Sequence, residues 1–244
     1  MARPRKANGS TRRIKALFFG APNAGKTRLL GTAALDERTA PIAIGDFDGG
    51  GEDTLEGLPG EGTDWVRIPL TDWPDDFNNF YERVRDNDEG FRSIAVDSLS
   101  EVHILMLMNC LNDGRPSREK EPDLIQEGDY GTAMVQLRRF TRYLKDLPVH
   151  VFYTSHQRDA IYPKEGSVII PSMAGKAAVE IPGLMSVVGY LTMMENGNGD
   201  VERVMLLQNY AKIRTKVRTP WGVEAPDEIV DPTMTKLFDT LHIK

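Results

Sequence analysis

Short apolar runs recur along the chain, each closed by glycine, proline or an acid, and they alternate with longer amphipathic stretches. That alternation predicts an α/β domain with a buried sheet. Ile14 to Phe19 reads as a first strand and Arg28 to Leu35 as a helix. Pro41 to Phe47 and Trp65 to Leu70 read as further strands. Phe77, Phe80, Tyr81 and Val84 stand at i, i+3, i+4 and i+7, one face of a helix, with Asp72 as its expected N-cap and Pro74 in its first turn. Ser93 to Asp97 is apolar until its closing acid. Leu99 to Leu111 is apolar nearly all round and predicts a buried helix, with His103 as a core or boundary histidine. Asn112 to Gly128 predicts a long polar loop. Tyr130 to Leu147 predicts an amphipathic helix that buries Leu137, Phe140, Leu144 and Leu147 and turns Arg138, Arg142 and Lys145 outward.

The second half is less regular. Val149 to Thr154 predicts a strand that ends in Ser155-His156-Gln157-Arg158, and Arg158 to Pro182 reads as loop. Leu184 to Met193 and Glu202 to Gln208 predict strands, with Asn196-Gly197-Asn198-Gly199 as the hairpin turn between them. Ala211 to Thr219 alternates Lys212, Arg214, Lys216 and Arg218 with Ala211, Ile213, Thr215 and Val217, which would place four cations on one face of a strand. Asp231-Pro232 is expected to cap a last short helix carrying Leu237, Phe238 and Leu241.

Length and composition narrow the class. The 244 residues suit one sizeable domain, taken as residues 14–244 behind a basic flexible arm at 1–13. Cys110 is the only cysteine, which excludes an internal disulfide and a cysteine-cluster metal site. No apolar run reaches the ~20 residues of a membrane span, and no apolar segment marks a secretory leader. The expected compartment is the cytoplasm. The net charge of −6 is unevenly spread. Arg3, Arg5, Lys6, Arg12, Arg13 and Lys15 crowd the arm, which suits either a solvated tail or a nucleic-acid contact, and the stretch from Asp36 to Glu89 is acidic. Overall acidity argues against nonspecific coating of nucleic acid but leaves room for a local basic groove.

One motif carries specific chemistry. Gly20-Ala21-Pro22-Asn23-Ala24-Gly25-Lys26-Thr27 reads G-x-x-x-x-G-K-T between a predicted strand and a predicted helix. In such a loop successive backbone N–H groups curl round phosphate oxygens. Lys26 would reach the β- and γ-phosphates, and Thr27 would offer its hydroxyl to Mg²⁺. Residues Gly20, Ala21, Pro22, Asn23, Ala24, Gly25, Lys26, Thr27 and Arg28 are therefore the candidate ATP-binding set. The strand ending in Asp97 has the Walker B form, whose carboxylate would hold the Mg²⁺ shell beside Thr27. The next residue is Ser98, not Glu, so the carboxylate that positions water must come from elsewhere: Asp48 at the neighbouring strand end, or Glu101 one helical turn on. His156 or Gln157 would sense the γ-phosphate.

In order, the P-loop, Asp46-Phe47-Asp48-Gly49-Gly50, Asp97-Ser98, Val151-Phe152-Tyr153-Thr154-Ser155-His156, Pro171-Ser172-Met173-Ala174-Gly175-Lys176 and the Lys/Arg stretch before Pro220-Trp221-Gly222 resemble the bacteriophage RecA-like AAA-type ATPases, which are associated with single-strand annealing. The resemblance runs from about Ile14 to Leu241. It implies a RecA-like P-loop NTPase core, a mainly parallel twisted sheet flanked by helices and ending in an antiparallel hairpin. It implies that Asp48 activates the attacking water, where the family more often has Glu. It implies a sensor at Ser155 and His156, DNA contacts from Arg158, Tyr162, Lys164 and Lys176, and a first DNA loop within Asn112 to Gly128. Arg214 and Lys216 would reach the nucleotide of a neighbouring subunit. The resulting expectation is an ATP- and Mg²⁺-using ATPase that binds single-stranded DNA and assembles as a ring or filament. It would serve DNA recombination, annealing or replication, alongside a single-strand-binding or annealing protein. Two other classes fit the residues less closely: a nucleotide-dependent switch that recruits a partner, and a small-molecule kinase.

Overall fold

The computed structural model describes residues 12–56, 65–69, 72–111, 124–163 and 165–243. The basic arm up to residue 11, most of the expected first DNA loop (112–123) and Lys164 lie outside them. The chain runs β1 (Lys15–Gly20), α1 (Lys26–Gly31) with a 3-10 turn at Thr32–Leu35, β2 (Ile42–Asp46), α2 (Gly51–Leu55), β3 (Trp65–Pro69), α3 (Asp75–Asp86), β4 (Ser93–Asp97), α4 (Leu99–Leu111) and α5 (Glu127–Asp146). It continues through β5 (His150–Tyr162), β6 (Gly166–Pro171), α6 (Ala177–Leu184), β7 (Val187–Glu195), β8 (Val201–Leu206), β9 (Lys216–Val217), β10 (Glu228–Val230) and α7 (Met234–Thr240).

These strands form one twisted sheet in the order β10-β8-β7-β1-β5-β4-β2-β3, with β6 attached to β5 and β9 to β7. The pairs β3–β2, β2–β4, β4–β5, β5–β1 and β1–β7 are parallel, and β7–β8 and β8–β10 are antiparallel. This is the mainly parallel sheet with a C-terminal antiparallel hairpin that the sequence predicts.

Helices cover both faces, so the central strands are apolar on both sides. Alternation sorts their side chains. Leu17, Phe19, Ile94, Val96, Val151 and Tyr153 join one core with residues of α3 to α6. Ala16, Phe18, Ala95 and Phe152 join the other with α1 and α7. Behind the end of β2, Phe47 packs against Phe140 with centroids 6.4 Å apart, and Phe140 against Phe77 at 4.3 Å. This aromatic stack braces the turn that carries Asp48. Truncating a buried phenylalanine such as Phe140 to alanine typically costs about 3–5 kcal/mol.

Several local expectations change. Arg158 to Pro182 is not a loop: β5 continues to Tyr162 and returns as β6, whose Val168 and Ile170 are buried, before α6 begins. The polar tail of β5 is a strand because its backbone bonds are met by β6, a non-local partner. Ala211 to Thr219 is not one long strand. Ala211 turns the chain with φ 48°, Asn209 Oδ1 accepts from the Thr215 N–H at 2.9 Å, and Lys216–Val217 is the one strand formed, pairing with β7, while Ile213 makes isolated bridges to Ile169 and Tyr210. Arg214 and Lys216 line one cavity, and Lys216 and Arg218 both donate to Gly183 O, but no single long strand carries the four cations. Helix α5 starts at Glu127, three residues before the expected Tyr130, because Gln126 and Asp129 form a capping box. The last helix is capped by Thr233, which accepts from the Lys236 N–H at 3.1 Å, rather than by Asp231-Pro232. Asp72 is not the N-cap of α3: it donates its N–H to Asp76, and Pro74 holds the cap position without a side-chain bond. Helix α4 is buried on one side only, with Met108 54% exposed on the other.

Candidate functional site

The phosphate loop hangs between β1 and α1, at the carboxyl edge of the parallel strands, where such sheets bind ligands. Gly20 closes β1 because β7 runs against it: a Cβ there would lie 2.2 Å from the Leu191 carbonyl oxygen. Asn23 (φ 63°) and Gly25 (φ 92°) both take left-handed conformations, which turn the loop's N–H groups inward. Lys26 is 7% exposed, and its Nζ donates to Ala21 O at 2.9 Å and Gly20 O at 3.3 Å. Burial pushes its pKa down, against the pull of Asp97 and Asp48.

β4 and β2 bring the carboxylates. Asp97, 2% exposed, accepts a 2.6 Å hydrogen bond from the Thr27 hydroxyl on one oxygen and one from the Thr154 hydroxyl on the other. Burial raises its pKa, and the two hydroxyl donors oppose the rise. Donation to Asp97 leaves the Thr27 oxygen's lone pairs free, so the pair fits a hard divalent cation with a water shell. Asp46 ties the glycine turn together by accepting from the N–H groups of Gly49 and Gly51. Phe47 and Asp48 donate their N–H groups to Asp97 O, which locks the end of β2 to the end of β4. Asp48 stands on an open turn, yet its side chain is only 27% exposed. Its carboxylate accepts from Ser98 Oγ at 2.8 Å and lies 4.0 Å from His156 Nε2. Burial pushes its pKa up, and the Ser98 bond and His156 oppose this. Glu101 joins the group, with ligand atoms of Asp48, Glu101 and His156 all within 4.8 Å of one another.

Of the two sensor candidates, His156 faces this group. Gln157 points away and accepts from the Tyr190 hydroxyl at 2.8 Å. Behind His156, its N–H donates to Ser100 Oγ and its carbonyl accepts from the Ser172 N–H. The Ser155 hydroxyl lies 3.2 Å from that of Ser100 and accepts from the same Ser172 N–H. α4, β5 and the end of β6 are thus joined directly behind the site.

Pro22, Asn23, Lys26, Asp48, His156 and Arg203 line a cavity of about 440 Å³ over the P-loop. That is within the roughly 300–1,000 Å³ of small-molecule sites. Arg203, from β8, was absent from the sequence expectations. It belongs to no motif, and only the β7–β8 hairpin carries it to the loop.

The remaining candidates are elsewhere. Arg214 pairs with Glu165, and Lys216 Nζ donates to Gly183 O at 2.7 Å and Pro182 O at 3.2 Å. Both line a second cavity of about 420 Å³, shared with Tyr162, and neither lines the P-loop cavity of its own chain. Arg158 lies on β5 with a buried Nε that lacks a hydrogen-bond partner, and exposed Lys176 precedes α6. His103 is buried, which lowers its pKa, and it stands outside the site as expected. Among the described residues no helix is long and apolar enough to cross a membrane.

A search of curated protein sequences returns no match. Among solved structures, the RadB recombinase is similar at 13% identity over 79% of each chain, with a TM-score of 0.44. The model of the AAA domain family matches residues 12–219, which include β1, the P-loop, β4 and the β7–β8 hairpin. The chain belongs to the AAA domain family.

Proposed function

We propose that the protein is an ATPase that assembles on single-stranded DNA and serves DNA recombination, annealing or replication. The observation that carries the ATPase reading is the direct Thr27–Asp97 hydrogen bond beside the buried Lys26, with Asp48 facing the same cavity. P-loop backbone N–H groups and Lys26 bind the phosphate chain and balance the charge that develops on it. Thr27 and Asp97 would hold Mg²⁺, which when bound would supply charge neutralisation to the phosphate chain. Asp48 accepts a hydrogen bond from the attacking water and orients it in line with the γ-phosphorus. His156, beside Asp48, reports the state of that end of the site to β6 through Ser172.

The rest of the proposal concerns assembly. A cation that ends transition-state charge in P-loop enzymes often arrives from another chain. Arg214 and Lys216 are basic, partly exposed and outside their own P-loop cavity, which supports such a role toward a neighbour. Arg158, Tyr162, Lys164 and Lys176 supply phosphate contacts and one stacking surface for single-stranded DNA. A nucleotide-dependent switch with little turnover is the second reading. It is favoured by the Ser98 bond, which already engages one oxygen of the short Asp48 carboxylate.

ATP hydrolysis measured with and without single-stranded DNA, at two salt concentrations, for the native chain and Lys26→Ala, separates the two. Stimulation by DNA that weakens with salt and vanishes in the variant is the expected outcome. ATP binding without turnover under every condition supports the switch instead.

A further inference from the structure

Arg203 is half-buried on β8, paired in register with Met193 of β7, and it reaches across the P-loop. Its Cδ and Nε lie 3.0 Å from the position a Cβ would take on Gly25. Gly25 is required by its φ of 92°, which disfavours any other residue, and its missing side chain leaves the Arg203 stem close against the loop. The Nε of Arg203 is buried and has no hydrogen-bond partner, and among the described residues no acid forms an ion pair with its guanidinium. A buried N–H left unmet is costly, and more so on a charged group. A planar cation with several fixed donors matches phosphate oxygens in number and geometry.

Its position says which phosphates. Arg203 is a wall shared by two cavities: the P-loop cavity, and an adjoining cleft of about 310 Å³ lined by Arg28, Leu191, Asp231, Thr233 and Lys236. Asp48 and His156 line the first cavity, with Glu101 beside them, and none of the three lines the cleft. A nucleoside triphosphate bound with its terminal phosphate toward Asp48 therefore runs past Gly25 and Arg203 on its way to the cleft.

We propose that Arg203 is a nucleotide-binding residue that grips the inner, non-transferred phosphates from the nucleoside side and directs the nucleoside into this cleft. The inference rests on the nucleotide-binding reading given above. Because Arg203 touches the diphosphate shared by ATP and ADP, its loss weakens both alike.

The test is the affinity of the full chain for ATP and ADP, each with Mg²⁺, in the native protein, Arg203→Met and Arg203→Lys. Arg203→Met keeps the stem and Arg203→Lys keeps the charge without the fork. The expected result is an equal loss of about 10- to 100-fold for ATP and ADP in Arg203→Met and a smaller equal loss in Arg203→Lys. Native-like affinities in the two variants overturn the proposal. A loss confined to ATP also overturns it, because it would place the residue on the terminal phosphate. If Arg203→Met does not fold, the ATP and ADP losses of Arg203→Lys decide the question by the same criteria. A native protein that binds neither nucleotide defeats the nucleotide-binding reading itself, which is a different result from native binding left unchanged in the variants.

Discussion

The two halves of β5 are built to different rules. From His150 to Ser155 the strand is buried between β1 and β4. Here Lys26, Thr27, Thr154, Asp97, Ser98 and Asp48 are bound to one another or to adjacent backbone. From Gln157 to Tyr162 the strand leaves the main sheet and pairs only with β6. Nearby, Arg214 pairs with Glu165 while their side chains are 45% and 51% exposed, and Lys216 rests on backbone carbonyls. The first region is pre-organised within one chain. The second holds Arg214 in an exposed ion pair of the sort worth about 0–1 kcal/mol, which on the proposed function a nucleic-acid phosphate or a neighbouring nucleotide would replace.

The largest effect that sharpens this contrast is expected from Lys26→Ala. It should lower ATP hydrolysis by on the order of 10³-fold or more, since a preorganised charge at the transferred phosphate is lost. A variant retaining a tenth of the native rate would show that the first region is not the site. Arg214→Ala is expected to cost less, roughly 10- to 1,000-fold, and only in the DNA-stimulated, assembled state, because the proposed partner site lies on another chain. Mixing Arg214→Ala with Asp48→Asn chains should restore part of the rate, as each supplies what the other lacks. No recovery in demonstrably mixed assemblies counts against the role in trans.

A smaller effect tests the rigidity of the first region. His150 accepts the Ile14 N–H on Nδ1 at 3.0 Å, and burial first, then Arg13 and Lys15, pushes its pKa down from 6.5 to about 3. The unfolded chain therefore takes up a proton between these two values while the folded chain does not. The resulting stability is present above pH 6.5 and is lost as pH falls toward 3, with a slope of at most about 1.4 kcal/mol per pH unit. Urea unfolding of the native chain should show lower stability at pH 5 than at pH 7, and His150→Asn should narrow that difference. The smallest effect is that of Tyr153→Phe, which removes the 3.1 Å bond to Thr141 O and should cost about 1 kcal/mol. A much larger loss there would mean that α5 is held to the sheet chiefly by this bond.

Legibility in the sequence follows the same division. β1, β2 and β4 are buried on both faces, so they are continuous apolar runs, and the P-loop and Asp97 follow from them. The polar end of β5 carries no such pattern, because its ladder partner β6 lies beyond a turn and supplies the bonds from elsewhere. The Val168-Ile169-Ile170 run was the available signal for β6. The Lys212 to Arg218 alternation looked like a strand, but Ala211 and Asn209 divert the chain, and Ile213 bridges to Ile169 instead. His156 rather than Gln157 faces Asp48, a choice of strand face that a one-residue change of register would reverse. Arg203 could not be read at all, since its place depends on how β7 and β8 pair.

The central claim is that the carboxylate end of the P-loop cavity hydrolyses ATP, with Asp48 orienting the water. Its most direct test is single-turnover hydrolysis of prebound ATP by the native chain and Asp48→Asn, on single-stranded DNA and with Mg²⁺. The native chain should turn over its bound ATP, and Asp48→Asn should bind ATP with near-native affinity but hydrolyse it about 10²- to 10⁴-fold more slowly. Native-like hydrolysis by Asp48→Asn, or a native chain that holds ATP without turning it over, would contradict it.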